Sequence, residues 1–294
     1  MSDTWREKIR ELAEDHRSPS SALASRAADL LQDVAQEEPA LLAEAARGVV
    51  LAQPSMAALA SVANVVLRAV ETLGLSSVPR TLEALQKGMA ADRHAAAQEL
   101  CERVGSPVRV VSTSASAAVV VAIQALSRND LLTGVVCGES RPLLEGTALA
   151  RWLVEQGYDT TLVTDAGLCD HIGPGSILVV GTDAILPRHV VNKMGTRVYA
   201  TWARLSGVPS YVLASRDKVY PPGLQPCFEN PVRPADELAQ HPPAAMHVDN
   251  RAIDLTERRV WTDVLVGGIP VEVAESRGDH ALAQGLRQLV PTES

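Results

Sequence analysis

The sequence ESRPLLEG at residues 139–146 opens the stretch, 138–221, around which this chain is organised. Two more polar clusters that contain glycine follow it: GTD at 181–183 and NKMGT at 192–196. Each cluster comes after a short aliphatic run and before a helix-like one. In an open parallel sheet, ligand sites form beyond the carboxyl ends of the strands. The clusters therefore predict an α/β fold with a site at one edge of its sheet.

The periodicity of the chain changes at Ser106-Pro107. Residues 1–105 show only helical patterns and predict a helical bundle domain. Residues 106–294 alternate short strands with helices, which predicts right-handed parallel crossovers and a Rossmann-like, doubly wound parallel sheet. The predicted strands are 108–111, 133–137, 160–163, 177–180 and 211–213, and the predicted helices are 117–126, 145–156 and 191–205.

Local signals refine these two domains. Ser18 before Pro19 predicts an N-cap followed by proline at the first helical position. Residues 56–73 are apolar nearly all round, so they predict a buried helix that stops at Gly74. Seven prolines in 221–247 predict an irregular covering segment.

Composition narrows the function classes. The 294 residues carry a formal charge of −8 and no basic stripe, which argues against direct nucleic-acid binding. The four cysteines form no C-x-x-C and the histidines show no metal spacing, so neither a disulfide framework nor a metal site is predicted. No phosphate loop and no G-x-G-x-x-G follows a strand, so no cofactor is predicted. Without an apolar signal core or membrane span, we expect a cytoplasmic protein.

The clusters at 139–146, 181–183 and 192–196, with Lys218 before Pro221-Pro222, resemble a known family in order and spacing. It comprises the alpha, beta and delta regulatory subunits of translation initiation factor 2B and the related methylthioribose-1-phosphate and ribose-1,5-bisphosphate isomerases. The resemblance runs from about residue 18 to about residue 270. It implies a helical N-terminal domain, a Rossmann-like C-terminal domain and homodimers formed through the latter.

The resemblance also implies where chemistry would occur. The isomerases of this family use a cysteine after the first strand and an aspartate, and Asp183 matches the aspartate. At the cysteine position this chain has Thr113, or Ser114 in a shifted register. A hydroxyl is a far weaker acid than a thiol, so one of the two proton handlers is lost. Cys137, at the end of the second predicted strand, is a candidate replacement, although a buried inert thiol is the commoner case.

At three further positions this chain departs from the residues with which the isomerases of the family bind the substrate's phosphate. A family arginine corresponds to Gln53, an Arg-Gly pair corresponds to Ser18-Pro19 or Arg17-Ser18, and a phosphate-contacting glutamine corresponds to Glu145. Together they remove positive charge and add negative charge, so the sequence predicts a site too electronegative for the isomerase reaction.

Candidate residues follow from the motifs that remain. The catalytic candidates are Asp183 and Thr113. The ligand-binding candidates are Ser114, Arg141, Glu145, Asn192, Lys193 and Lys218. Several have a structural alternative. Capping is the alternative for Asp183 and for the hydroxyl cluster Ser112-Thr113-Ser114-Ser116, and a favourable position in the first turn of a helix is the alternative for Glu145. A bridge to a carboxylate is the alternative for Arg141, and solvation is the alternative for Lys193.

Two main hypotheses result. In the first, the chain keeps the isomerase fold without its activity and binds a sugar phosphate, a nucleotide or a protein partner. In the second, it is a divergent aldose-ketose isomerase that uses Asp183 with Thr113 or Cys137 on a substrate with one phosphate or none. A third, purely structural reading is assembly into a larger complex, without contact to nucleic acid or membrane.

Overall fold

The computed structural model describes residues 4–113, 115–243, 245–277 and 281–290. The helices are α1 (Thr4–Glu14), α2 (Ser20–Glu37), α3 (Leu42–Ala52), α4 (Ala57–Leu73), α5 (Val78–Arg103), α6 (Ala117–Arg128), α7 (Glu145–Glu155), α8 (Thr196–Leu205) and α9 (Val271–Arg277). The strands are β1 (Val108–Ser112), β2 (Leu132–Gly138), β3 (Thr160–Val163), β4 (Ser176–Val180), β5 (Ala184–Ile185), β6 (His189–Lys193), β7 (Ser210–Ala214), β8 (Ile253–Glu257), β9 (Asp263–Val266) and β10 (Ile269–Pro270).

Helices α1 to α5 precede the first strand; α2, α3 and α5 pack against α4, and α1 packs against α2 and α3. With aromatic residues at only 3% of the chain, their core is built mainly from alanine, valine and leucine. Helix α4 is buried over most of its surface, as its apolar sequence predicts. Tyr220, Ala283 and Leu286 join the same core from the far end of the chain. The division into domains 1–105 and 106–294 stays a prediction.

The second half of the chain forms a seven-stranded sheet in the order β10-β9-β7-β4-β1-β2-β3. All its neighbouring strands are parallel except β10 with β9. Consecutive residues of β1 face opposite layers: Val110 packs with helices α5 and α6, and Val111 packs on the side of α8. Helices on both faces confirm the mixed α/β, doubly wound fold. The strand order reverses between β1 and β4, which is where such sheets bind ligands.

A separate three-stranded antiparallel sheet, β5-β6-β8, corrects one predicted element. The predicted helix 191–205 is wrong in its first part, because Val190 and Val191 pair with β5 and β8 as a strand. The helix starts only after Gly195, whose φ of 98° suits glycine. Asn192 and Lys193 therefore end a strand and do not begin a helix.

The start of α2 also differs from the prediction by one residue. Pro19 itself is the N-cap, and the Ser18 hydroxyl donates to Asp15 Oδ2 at 2.7 Å instead of capping the helix. Among its described residues, the segment 221–247 contains short 3₁₀ turns and one isolated β-bridge, from Val232 to Arg251, and is otherwise irregular, as its prolines predict. In the described part of the chain, none of the helices has the length and apolar character to cross a bilayer.

Candidate functional site

A cavity of about 440 Å³ opens where the helical half meets the carboxyl ends of β1 and β4. Its walls come from the α1–α2 loop, α5, the residues after β1, the start of α7, the residues after β4, the end of β6 and the turn after β7. The site predicted at the edge of the sheet is thus a crevice that the helical half closes.

Asp183 lines this cavity three residues after the end of β4 and is half-buried. Its main chain is fixed on both sides: its nitrogen donates to Val191 O at 2.9 Å, and its carbonyl accepts from the nitrogen of Ala57 at 3.0 Å. The Asp183 carboxylate has no hydrogen-bond partner among the described residues. Strand β5 follows it, so the alternative role as an N-cap is wrong.

Glu145 and Lys193 also line the cavity and bind each other. Lys193 Nζ donates to Glu145 Oε1 at 2.6 Å and to Oε2 at 2.8 Å. The lysine side chain is only 9% exposed and the glutamate side chain 27% exposed, so the pair is largely shielded from water. The predicted alternative of a solvated Lys193 is therefore wrong.

Asn192 precedes Lys193 at the end of β6 and faces the same cavity. Its Nδ2 donates to Thr196 Oγ1 at 3.1 Å, and its amide oxygen has no hydrogen-bond partner among the described residues. Asp254 of β8 accepts the main-chain N–H groups of Gly195 and Arg197, which holds the turn behind Asn192. The NKMGT cluster thus joins the end of β6 to the first residue of α8, and Asn192 and Lys193 belong to the strand.

Lys218 completes the group of predicted residues that the cavity brings together. It follows β7, is 8% exposed, and donates through Nζ to the hydroxyl of Ser20 at the start of α2. This contact joins the sheet side of the cavity to its helical side.

Two of the predicted proton handlers, Thr113 and Cys137, are buried away from the described lining of the cavity. Thr113 is 2% exposed, and its hydroxyl has no partner among the described residues. Ser114 lies outside the described residues. Cys137 is buried within β2, and desolvation raises the pKa of its thiol to about 12. Neither Thr113 nor Cys137 is among the described residues that line the cavity.

Arg141 binds another part of the protein and does not line the described cavity wall. Its side chain is exposed and donates through Nη2 to Leu238 O at 3.2 Å, which ties the covering segment to the 139–146 cluster. Its main-chain nitrogen donates to Asp165 Oδ2 at 2.7 Å. Arg141 is not among the described lining residues, so the structure supports its structural alternative with a carbonyl, not a carboxylate, as side-chain partner.

The charge of the cavity differs from the expectation. Gln53, in the place of a family arginine, faces away and donates to the carbonyls of Leu12, Ala13 and Asp15. The described lining residues include two carboxylates and five lysines or arginines, namely Glu145, Asp183, Arg17, Arg93, Lys193, Lys218 and Arg233. The prediction of an electronegative site is therefore wrong.

Three lining cations were absent from the predicted site: Arg17, considered only as a shifted register, Arg93 and Arg233. Arg93 lies in the middle of α5, where a charged residue in an amphipathic helix is typical of a solvated face. No local pattern marks it as a ligand residue. In the described residues, no group of three or more histidine, cysteine or acidic side chains could hold a metal ion.

Comparison with known proteins identifies the family of this chain. Residues 16–265 match the model of the initiation factor 2 subunit family. The chain belongs to this family. The match includes the loop before α2, the whole cavity and the sheet as far as β9, so the family resemblance of the motifs is confirmed.

Among its relatives, this family member is 30% identical over 221 residues to a putative translation initiation factor eIF-2B subunit 2-like protein of Pyrococcus horikoshii, covering 73% of this chain and 79% of the relative. It is 35% identical over 142 residues to a methylthioribose-1-phosphate isomerase of Pelotomaculum thermopropionicum, covering 45% of this chain and 39% of the isomerase. The match thus spans less than half of that isomerase.

Among solved structures, a translation initiation factor eIF-2B of Pyrococcus horikoshii superimposes with a TM-score of 0.78 over 90% of this chain and 95% of that one. Its sequence identity is 24%, so this likeness establishes the fold only. Membership of the initiation factor 2 subunit family therefore explains the fold. The function of the cavity depends on the side chains that line it.

Proposed function

We propose that the chain binds a small phosphorylated molecule, a sugar phosphate or a nucleotide, in the cavity and does not catalyse the isomerisation that the resemblance implies. The support is electrostatic, because five cationic side chains line the cavity against two carboxylates. A volume of about 440 Å³ also falls in the range of small-molecule sites. A phosphate group would meet guanidinium and ammonium donors, which bind it by charge-assisted hydrogen bonds.

The loss of catalysis rests on one observation: no cysteine is among the described residues that line the cavity. Asp183 lines the cavity, whereas Thr113 and Cys137 are buried and are not among the described lining residues. The second carboxylate of the cavity, Glu145, is held in its ion pair with Lys193. Aldose-ketose isomerisation needs a proton removed at one carbon and delivered at the next, so a lone free carboxylate is a poor substitute for the pair.

The test combines binding and turnover on the purified chain. Ribose 5-phosphate is titrated by calorimetry, and methylthioribose 1-phosphate and ribose 1,5-bisphosphate are followed by phosphorus NMR for product. Binding of a phosphorylated sugar without turnover is the expected result. Turnover that disappears in Asp183→Asn would contradict the non-catalytic assignment. Failure of wild type to bind any of the three compounds would contradict the binding function.

One observation favours the second hypothesis, a divergent isomerase. The Asp183 carboxylate faces the cavity, half-buried and without a partner in the described residues, as a general base requires. Asn192 beside it offers an amide to a substrate oxygen. This function predicts turnover in the NMR assay that Asp183→Asn abolishes and that Cys137→Ala leaves intact.

The homodimer is implied by the resemblance, and the cytoplasmic location is an expectation from the sequence. The homodimer, a further protein partner and the cytoplasmic location stay predictions. Light scattering coupled to size-exclusion chromatography tests the first, with two chains per particle expected. Purification of the tagged chain from its host tests the second, where a partner in fixed stoichiometry is expected. Fractionation of the same cells tests the third, with the chain expected in the cytosolic fraction.

A further inference from the structure

Some cationic side chains of the cavity already have a hydrogen-bond or ion-pair partner within the protein, and others have none among the described residues. Lys193 is neutralised by both oxygens of Glu145, and Lys218 donates to Ser20 Oγ. Arg233 Nη1 donates to His16 O at 3.5 Å. By contrast, the guanidinium groups of Arg17 and Arg93 have no hydrogen-bond or ion-pair partner in the described part of the chain. An incoming anion therefore finds these two groups free.

Of these two groups, Arg93 is the better placed. Arg17 lies in a loop and is exposed, whereas Arg93 is half-buried on α5, a helix of 26 residues. Holding a guanidinium partly out of water without a counterion is unfavourable, and a bound anion would remove that cost. The planar donor fork of arginine also matches the oxygen spacing of a phosphate.

The neighbour of Arg93 anchors this part of α5 to the sheet. Asp92 accepts from the main-chain nitrogen of Arg216 at 2.9 Å, from its Nε at 3.0 and 3.1 Å, and from its Nη2 at 2.7 Å. The Asp92 side chain is only 8% exposed. Lys218 lies two residues beyond Arg216, so this single ion pair joins the two elements that bring Arg93 and Lys218 to the cavity.

We propose that Arg93 is the main anion-binding residue of the cavity, in place of Lys193, and that the Asp92–Arg216 pair is a positioning device for it. The inference rests on the proposed binding of a phosphorylated ligand and names the residue that would hold the phosphate. The bound phosphate then lies at the junction of α5 with the turn after β7. The sugar or base extends towards Asp183 and Asn192.

The experiment titrates ribose 5-phosphate, and separately inorganic phosphate, into wild type, Arg93→Gln and a matched control. Arg80→Gln is the control, because Arg80 lies on the same helix, is exposed, and is not among the described lining residues. Arg93→Gln is expected to weaken both ligands about tenfold or more, the size of a charge-assisted contact. Arg80→Gln is expected to stay within about twofold of wild type.

Three results separate the outcomes. Equal binding by wild type and Arg93→Gln would overturn this inference and leave the proposed function standing. Absence of binding by wild type would overturn both. Should Arg93→Gln fail to fold, as judged by circular dichroism, Arg93→Lys replaces it. That variant keeps the charge but loses the fork, and about threefold weaker binding is expected; unchanged binding would overturn the assignment.

The positioning role of Asp92 has its own readout. Asp92→Asn is expected to weaken ribose 5-phosphate binding in wild type by about threefold to tenfold, but to have little further effect in the Arg93→Gln background. A merely structural Asp92 would give the same loss in both backgrounds, which would overturn the positioning role.

Discussion

Lys193 Nζ donates to both carboxylate oxygens of Glu145, at 2.6 and 2.8 Å, inside the cavity that the family motifs build. The pair joins the end of β6 to the first residue of α7. A glutamine at this position would leave the ammonium with only a neutral partner, whereas the glutamate neutralises it. Glu145 therefore both stabilises the cavity wall and withdraws a cation from ligand binding.

Glu145→Gln separates these two effects. Because the amide carries no charge, Lys193 keeps only a neutral partner, and the free energy of unfolding is expected to fall by about 1–3 kcal/mol. The released ammonium is expected to tighten ribose 5-phosphate binding several-fold. Urea unfolding and calorimetry measure the two quantities. Glu139→Gln, six residues away in the same segment, is the control; weaker phosphate binding by Glu145→Gln would contradict the model.

Gly146 tests how tightly α7 is seated on the sheet. A Cβ at this position would lie 1.7 Å from the carbonyl oxygen of Gly138 and 3.0 Å from that of Thr113. Both neighbours are main-chain atoms: Gly138 is the last residue of β2, and Thr113 directly follows β1. Moving either of them would disturb the sheet. Gly146→Ala is expected to lower the free energy of unfolding by about 3 kcal/mol or more.

Gly88→Ala is the matched control for that substitution. Gly88 lies within α5, and a Cβ there meets no atom within 4 Å. Replacing glycine by alanine inside a helix is expected to raise the free energy of unfolding by about 0.5–1 kcal/mol. Urea unfolding of both variants checks the pair. Equal losses in the two variants would show that the close packing at Gly146 has no special weight.

The fold was predictable where the hydrophobic periodicity of a segment agrees with the glycine and proline residues that bound it. The strands at 108–111 and 160–163 and the buried helix ending before Gly74 appear as predicted. The error at 191–205 arose because apolar residues on either side of NKMGT read as one helix. Only the pairing of β6 with β8, more than sixty residues later in the chain, decides that Val191 is in a strand.

The site was predictable only where motifs follow strands. Asp183, Glu145, Asn192, Lys193 and Lys218 all line the cavity, as their motifs indicate. Gln53 binds three carbonyls at the C-terminal end of α1 and just beyond it, and its direction cannot be predicted from its own neighbours in sequence.

The free cations were missed for a related reason. Arg17 and Arg93 come from the helical half of the chain, where charge is usually solvated. Their meeting with the sheet depends on how the two halves pack, and no local pattern encodes it.

Cys137 offers a test of the missing thiol. It is fully buried, and desolvation raises the pKa of its thiol to about 12, so at pH 8 only about one molecule in ten thousand is a thiolate. Mass spectrometry after iodoacetamide treatment is expected to show Cys137 unmodified in the native protein and modified once urea unfolds the chain. Half-buried Cys169 serves as the internal reference and should label earlier. Fast native labelling of Cys137 would reopen its candidacy as a proton handler.

The Asp15 carboxylate fixes, by hydrogen bonds, the loop in which Arg17 and Ser18 line the cavity. Its carboxylate accepts from Ser18 Oγ at 2.7 Å, from the main-chain nitrogens of Ser18 and Arg17 at 2.9 and 3.0 Å, and from Arg26 Nη1 at 2.6 Å. Burial, the largest single influence, acts to raise the pKa of Asp15. The hydrogen bonds outweigh it and lower this pKa from 3.8 to about 2.

Since the folded-state pKa of Asp15 lies below the unfolded value, its stabilising contribution is complete above about pH 4 and is lost as the pH falls towards 2. Asp15→Asn is therefore expected to lower the free energy of unfolding by about 1 kcal/mol at pH 7 and by less at pH 3. Urea unfolding at both pH values measures this, with exposed Asp236→Asn as the control. The substitution should also weaken ribose 5-phosphate binding, because the loop that presents Arg17 loses its anchor. A loss of stability that grows as the pH falls would contradict the assigned role.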